Sequence, residues 1–170
     1  MIEKMKREDF DQIFAIMEES FPTDERRPYA EQKELLENPV YSLHITEQKN
    51  AFIATWEFDE FVFIEHFAVS KDSRNTGLGG KMLSEFLKKQ EKKVCLEVEL
   101  PLTDIAKRRI GFYERNGLFL NKYDYFQPPI SKGKSIVPLM IMTSKSKVSE
   151  DIFNKIRDTL YREVYRYKEK

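Results

Sequence analysis

Hydrophobic and polar positions along the chain follow two periods, which predict an alternation of strands and helices. Apolar residues spaced three or four positions apart predict helices beginning near Phe10, Tyr29, Leu78, Asp104 and Glu150. The second helix should end at Glu37, and the fourth at Asn116-Gly117. Thr103 or Asp104 can cap the fourth helix, and Ser149 can cap the last. Alternating or continuous apolar runs predict strands at 2–5, 40–46, 51–58, 61–69, 94–100, 118–126 and 136–142. The predicted order is therefore β-α-α-β-β-β-α-β-α-β-β, followed by a C-terminal helix.

This order predicts an α/β (α+β) fold class, with a mixed, mostly antiparallel, twisted sheet and helices on both faces. Short turns join the strands at 40–69, which favours an antiparallel meander. Helices separate later strands, so part of the sheet should be parallel. We expect residues 1–143 to form the main domain. Residues 144–170 should form a helical extension, packed on the same domain or at a dimer contact.

Composition narrows the classes of function. Lys and Arg total 29, as do Asp and Glu, so the net charge is zero among 170 residues. This balance favours neither nucleic acid nor an anionic membrane as a partner. One cysteine and two histidines make a disulfide framework or a metal site unexpected. The N-terminal residues lack the apolar core of a signal peptide, so we expect a cytoplasmic protein.

The most informative segment is a glycine turn between a predicted strand and a predicted helix. It reads Arg74-Asn75-Thr76-Gly77-Leu78-Gly79-Gly80. Free backbone N–H groups and the helix dipole make such a helix start a site for anions. Glycine allows the backbone to approach a phosphate closely, because it has no Cβ. The turn therefore predicts a pyrophosphate site.

Two motifs in the chain resemble those of the GNAT acetyltransferase superfamily. Phe67-Ala68-Val69 followed by the glycine turn resembles the acyl-CoA-binding signature, R/Q-x-x-G-x-G/A after a strand. Gly111-Phe112-Tyr113-Glu114-Arg115-Asn116-Gly117-Leu118-Phe119 resembles the second signature, in which a tyrosine ends a helix before a strand. The element order is also similar to the GNAT fold over residues 1–143.

The resemblance implies an acyl-CoA N-acyltransferase fold with acetyl-CoA as co-substrate and no metal. The cofactor would lie where the strands at 61–69 and 94–100 splay apart. The backbone of Phe67, Ala68 and Val69 would pair with the pantetheine arm. The pyrophosphate would meet a second set of residues: Arg74, Asn75, Thr76, Gly77, Leu78, Gly79, Gly80 and Lys81. Tyr113 would be the general acid, or a contact, at the CoA sulfur; as a plain aromatic it would simply pack in the core.

Glu65 is the leading candidate for the general base. Strand alternation places it on the same side as Phe67 and Val69, and His66 on the opposite side. Apolar neighbours should raise its pKa towards neutrality. A solvated or salt-bridged carboxylate is the alternative. His66 is a weaker candidate, and Cys95 is expected to be a small buried hydrophobe.

The acceptor pocket is less defined by the sequence. Glu97 and Glu99 share one strand face and could bind a cationic substrate, or could be an ordinary polar face. Arg26 or Arg27 could pair with an acceptor carboxylate or phosphate, although a surface charge cluster with Asp24 and Glu25 is slightly favoured. Tyr29 could line the pocket or pack in the core.

The leading function is an N-acetyltransferase that moves an acetyl group from acetyl-CoA to a primary amine by direct attack in a ternary complex. The alternative is a non-catalytic acyl-CoA-binding or sensor module. P-loop and dinucleotide motifs are missing from the sequence. The acceptor, a small-molecule or peptide amine, is not specified, and both a monomer and a homodimer remain open.

Overall fold

The computed structural model describes residues 1–168, which contain seven β-strands and five α-helices. The strands are β1 (Ile2–Lys4), β2 (Tyr41–Thr46), β3 (Ala51–Glu57), β4 (Phe61–Val69), β5 (Lys93–Glu99), β6 (Leu118–Gln127) and β7 (Val137–Ser144). The helices are α1 (Phe10–Ser20), α2 (Tyr29–Glu34), α3 (Leu78–Lys88), α4 (Asp104–Arg115) and α5 (Glu150–Thr159), and a π-helical turn (Leu160–Val164) continues α5. The predicted mixed α/β fold with mostly antiparallel strands is confirmed.

The chain divides into two compact units. Unit 1 contains residues 1–22 and 26–94, and unit 2 contains residues 23–25 and those from 95 onwards. The α1–α2 segment, residues 21–28, therefore contributes three residues to unit 2 and the rest to unit 1. The boundary that the sequence analysis places at residue 143 stays a prediction.

Unit 1 is built on four antiparallel strands in the order β1-β2-β3-β4. Residues 51–56 of β3 are all buried, as expected for a strand covered on both faces. Helices α1 and α3 contribute large apolar side chains to this core, namely Ile13, Phe14, Met17, Met82, Leu83 and Phe86. Their three-and-four spacing is the reason that the sequence predicts these helices correctly.

A β-bulge interrupts the pairing of β3 with β4. Ala54 pairs with His66, whereas Thr55 pairs with Ile64, so Glu65 is the extra residue. Such an insertion bends the strand and re-aims the side chains beside it. Strand alternation therefore does not hold at Glu65.

Unit 2 is built on three antiparallel strands in the order β5-β7-β6, with the first two residues of β5 belonging to unit 1. Thr103 caps α4, since its hydroxyl accepts from the Ala106 N–H at 3.1 Å, and Ser149 caps α5 in the same way. Helix α5 packs on β6, where Phe153 meets the rings of Tyr123 and Tyr125 at centroid distances of 4.9 and 6.2 Å.

Within residues 1–168, no helix has both the length and the apolar character that a membrane span requires.

Candidate functional site

The glycine turn adopts the tight geometry that its residues suggest. It follows β4 through a 3₁₀ turn at Lys71–Ser73. Asn75 and Gly77 both have left-handed backbones, with φ of 62° and 81°. Gly77 is the N-cap of α3, so this cap has no side chain to satisfy the amides of the first helical turn.

Those amides are the feature that makes the turn suited to an anion. The first helical bond of α3 runs from the Lys81 N–H to the Gly77 carbonyl at 3.2 Å. The amides of Leu78, Gly79 and Gly80 precede that bond and therefore have no acceptor within the helix. Each of these three residues is partly exposed. The positive end of an 11-residue helix thus faces outward from a turn that has no bulky cap.

Side chains from α1 hold this turn in place. Arg74 donates from Nε to the Val69 carbonyl at 3.0 Å and from Nη2 to the Ser20 hydroxyl at 3.1 Å. The Lys71 N–H donates to Glu19 Oε1 at 3.0 Å. The exposed guanidinium of Arg74 contributes positive charge at the turn, because its two acceptors are neutral groups.

The three residues expected to pair with the pantetheine arm are the last three residues of β4. Phe67, Ala68 and Val69 pair with Ile53, Phe52 and Ala51 along one edge of the strand. Phe67 and Val69 are half-buried and Ala68 is buried. Their place at the end of β4, directly before the turn, matches the order that the motif requires, while their cofactor role stays a prediction.

Glu65 forms a buried ion pair with Arg27. Its Oε1 lies 2.7 Å from Arg27 Nη1, and the two side chains are only 1% and 6% exposed. The Arg27 guanidinium also lies over the Trp56 ring, 5.9 Å from its centroid. Neither interpretation of Arg27 from the sequence foresaw this partner. Because Arg27 is only 5% exposed, it is not part of a surface cluster.

The expected raised pKa of Glu65 is wrong. Burial alone would raise the pKa of this carboxyl, but Arg27 and His66 outweigh burial and lower it to about 2. The expectation that the His66 side chain points away from Glu65 is wrong as well, because its Nδ1 lies 3.5 Å from Glu65 Oε2. The β-bulge explains this contact, since it removes the alternation on which the expectation depended.

Arg26 and Tyr29, two further candidates for the acceptor pocket, are engaged with α1. Arg26 donates to the Phe21 carbonyl at 3.2 Å and lies 3.8 Å from Glu18. The Tyr29 ring packs edge-on against Phe10 and Phe14. Its hydroxyl donates to Asp11 and accepts from Lys33.

Glu97 and Glu99 both have protein partners in unit 2. Glu97 accepts hydrogen bonds from the hydroxyls of Tyr125 and Tyr165, each at 2.5 Å. Burial and the Glu97 charge raise the pKa of Tyr125 well above its usual value, so this hydroxyl remains a donor. Glu99 pairs with Arg109 at 2.5 Å on a more exposed surface. A role for either carboxylate in substrate binding stays a prediction.

Tyr113 lies on the last turn of α4 in unit 2. It is half-buried, and its ring meets Phe112 at a centroid distance of 5.3 Å. Desolvation raises the pKa of Tyr113 to about 12, and Arg109 opposes that shift. The hydroxyl therefore keeps its proton at neutral pH.

The single cysteine lies in the core of the chain. Cys95 is completely buried, and burial raises the pKa of its thiol well above the usual value. It therefore has the character of an inert core residue. Among residues 1–168, no three His, Cys, Asp or Glu side chains cluster as metal ligands.

Comparison with known proteins identifies the family. A family model for the acetyltransferase (GNAT) domain matches residues 38–117, which include both β4 and the glycine turn. The chain belongs to the GNAT acetyltransferase family.

Individual relatives support this assignment. The chain is 31% identical over 159 residues to "Putative acetyltransferase YjbC" of Bacillus subtilis, covering 90% of this chain and 81% of that protein. A solved structure described as "Putative acetyltransferase from GNAT family from Bacteroides thetaiotaomicron" is 31% identical, with a TM-score of 0.93 over 99% of both chains. A Vibrio cholerae spermidine N-acetyltransferase SpeG chimera is 13% identical, with a TM-score of 0.64 over 85% of this chain and 93% of that chain, and shows the shared fold alone.

Sequence reasoning missed the partners of two carboxylates. Two adjacent polar residues, Glu65 and His66, interrupt an otherwise apolar strand, and this interruption is a local sign of a bulge. A buried carboxylate requires a cation or hydrogen-bond donors, so a cation such as Arg27 could have been considered as its partner. No local signal links Glu97 with Tyr165, which is 68 residues away in the chain.

Proposed function

We propose that the chain transfers an acetyl group from acetyl-CoA to a primary amine by direct attack in a ternary complex. The observation that carries this proposal is the glycine turn, where a left-handed Gly77 opens α3 directly after β4. In a member of the GNAT family, such a turn is suited to the pyrophosphate of CoA.

The cofactor would be held mainly by the backbone. Amides from Arg74 to Lys81 would bind the pyrophosphate, assisted by the positive end of α3. The main chain of Phe67, Ala68 and Val69 would bind the pantetheine arm. Because backbone donors need only the correct conformation, Gly77 matters more here than the identity of the exposed side chains around it.

The transfer itself requires little covalent chemistry from the protein. The amine nitrogen attacks the thioester carbonyl, a C–N bond forms, and the C–S bond breaks to release CoA. Tyr113, protonated at neutral pH, would donate a hydrogen bond to the departing sulfur. The amine must also lose a proton, which Glu65 cannot readily accept while it is paired with Arg27. This proton would pass to solvent, and the CoA thiolate would take up one proton in exchange, with Tyr113 as the general acid that solvent reprotonates.

The test is CoA release with a panel of amines, comparing the wild type with Tyr113→Phe. We expect the variant to lower kcat by about 10²–10⁴, as for the loss of a general acid, with little change in the KM for acetyl-CoA. Tyr123→Phe is the matched control, because its hydroxyl donates to the Val148 carbonyl and has no proposed role in transfer. Turnover of Tyr113→Phe at the wild-type rate would contradict the assignment.

A non-catalytic acyl-CoA-binding module is the second candidate. The ion pair of Glu65 favours it, since the carboxylate expected to be the base has a pKa of about 2. This candidate predicts tight CoA binding without acetyl transfer to any amine tested. Calorimetry with CoA, run beside the transfer assay on the same preparation, separates the two functions.

A further inference from the structure

A buried ion pair of unit 1 lies at the bulge of β4. Glu65 and His66 are consecutive there, and each holds a residue of the α1–α2 segment. Glu65 pairs with Arg27 at 2.7 Å, and the His66 ring meets Phe21 edge-on at a centroid distance of 4.7 Å. The bulge makes this double contact possible, because it turns two adjacent side chains towards the same neighbour.

We propose that Glu65 is a positioning residue, which fixes the α1–α2 segment through Arg27, and that it is not the proton acceptor of the transfer. The proposal rests on the proposed acetyl transfer and concerns how the same unit is organised.

Exposure at the bulge supports this role. Glu65 as a whole residue is partly exposed, although its side chain is only 1% exposed. What reaches solvent at Glu65 is therefore main chain. A general base must come within hydrogen-bond reach of the proton that it removes, directly or through one water. This carboxylate instead faces a guanidinium in the interior.

The held segment is also connected to the anion-binding turn. Immediately before Phe21, Glu19 accepts from the Lys71 N–H and Ser20 accepts from Arg74. Four residues thus contact β4 at the bulge or the turn that follows β4, namely Glu19, Ser20, Phe21 and Arg27. A change at Glu65 can consequently reach the turn through Arg27 and the end of α1, without any contact between Glu65 and a ligand.

The test is the double variant Arg27→Met with Glu65→Gln, beside both single variants. A single variant leaves a buried charge without its partner and risks unfolding, whereas the double variant leaves none. Amide hydrogen exchange, CoA affinity by calorimetry, and the pH profile of kcat/KM are measured for each folded variant. Glu57→Gln is the matched control, because Glu57 is an exposed strand carboxylate that pairs with Lys92 at 3.1 Å.

A positioning role predicts that exchange at residues 21–28 accelerates at least about tenfold in the double variant and stays unchanged in the control. We also expect kcat/KM to fall about tenfold or less, with the acidic limb of the pH profile retained. Loss of about a thousandfold or more together with that limb would overturn the proposal, as would wild-type exchange at residues 21–28. If the wild type acetylates no amine, the proposed function fails by itself, and hydrogen exchange still decides the role of Glu65.

Discussion

Glu65 is a charged residue buried in unit 1, and its partner Arg27 determines the direction of its pKa shift. A carboxyl among phenylalanines would normally have a raised pKa, whereas a guanidinium at 2.7 Å reverses the direction. Burial strengthens the attraction and raises its cost at the same time, so removing either partner is expected to be more damaging than removing both.

The low pKa of Glu65 predicts acid sensitivity. Its folded value of about 2 lies below the unfolded value near 4.3, so its contribution is complete above the unfolded pKa and is lost as the pH falls towards 2. Between pH 6 and pH 3 we expect this group to remove about 2 kcal/mol from the free energy of unfolding.

Urea titrations at several pH values check this prediction. The double variant Arg27→Met with Glu65→Gln should lack that part of the pH dependence, while Glu57→Gln should retain it. Equal slopes between pH 6 and pH 3 in the wild type and the double variant would show that Glu65 is not the group responsible.

Glu97 is a comparable carboxylate in unit 2, but it accepts hydrogen bonds from tyrosine hydroxyls. Tyr165→Phe removes one of its two tyrosine donors. Since a hydrogen bond to a charged group contributes about 1.5–3 kcal/mol, we expect a loss of that order in the free energy of unfolding by urea. Tyr167→Phe, a nearby tyrosine, should change it by less than about 0.5 kcal/mol. Equal effects of the two variants would contradict a specific role for Tyr165.

At the scale of elements, the glycine turn joins β4 to α3 with two left-handed residues in three positions. Gly77 has open space where a Cβ would lie, so an alanine there would be strained by its φ of 81° and not by a collision. Conformation alone thus determines the direction of the first amides of α3.

Gly77→Ala should therefore affect both stability and cofactor binding. We expect a loss of about 1–2 kcal/mol in the free energy of unfolding, the cost of a left-handed non-glycine residue. We also expect CoA affinity to fall at least about tenfold as the amides shift. Gly133→Ala is the matched control, because its φ is 82° and its surroundings are equally open.

The control should lose similar stability and keep wild-type CoA affinity. Urea titration and calorimetry measure the two quantities. Wild-type affinity in Gly77→Ala would remove the turn from the proposed pyrophosphate site.

Most element positions followed from local patterns. The glycine turn, the caps at Thr103 and Ser149, and the helix end at Asn116-Gly117 lie where residue chemistry predicts them. Helix α2 is shorter than expected, ending at Glu34 before a 3₁₀ turn at Leu35–Glu37. The bulge of β4 escaped prediction, because register is a property of two paired strands.

At the scale of the whole molecule, net charge and the charge of individual sites have separate consequences. The 29 basic and 29 acidic residues cancel, so no overall field attracts an anionic cofactor. Binding would instead depend on local amides at α3, which explains how a neutral chain could bind a ligand with several phosphates.

Binding of CoA should stabilise the folded chain as a whole. At a concentration one hundred times its Kd, a ligand adds about 2.7 kcal/mol to the free energy of unfolding. For a chain of this size we expect the Tm to rise by about 5–10 °C. NAD at the same concentration is the control and should leave the Tm unchanged. A thermal shift with NAD equal to that with CoA would indicate a general phosphate site.

The sequence by itself determined the element order, the helix caps, the glycine turn and the family resemblance. Each of these depends on residues close together in the chain, where periodicity and backbone preference act directly. Only the tertiary structure decided the partners of the charged residues. Arg27 is 38 positions from Glu65, and the bulge that joins them arises from strand pairing. Electrostatic interactions depend on distance in space and not on separation along the chain. The carboxylate that the sequence suggested as a base is therefore held in a buried ion pair.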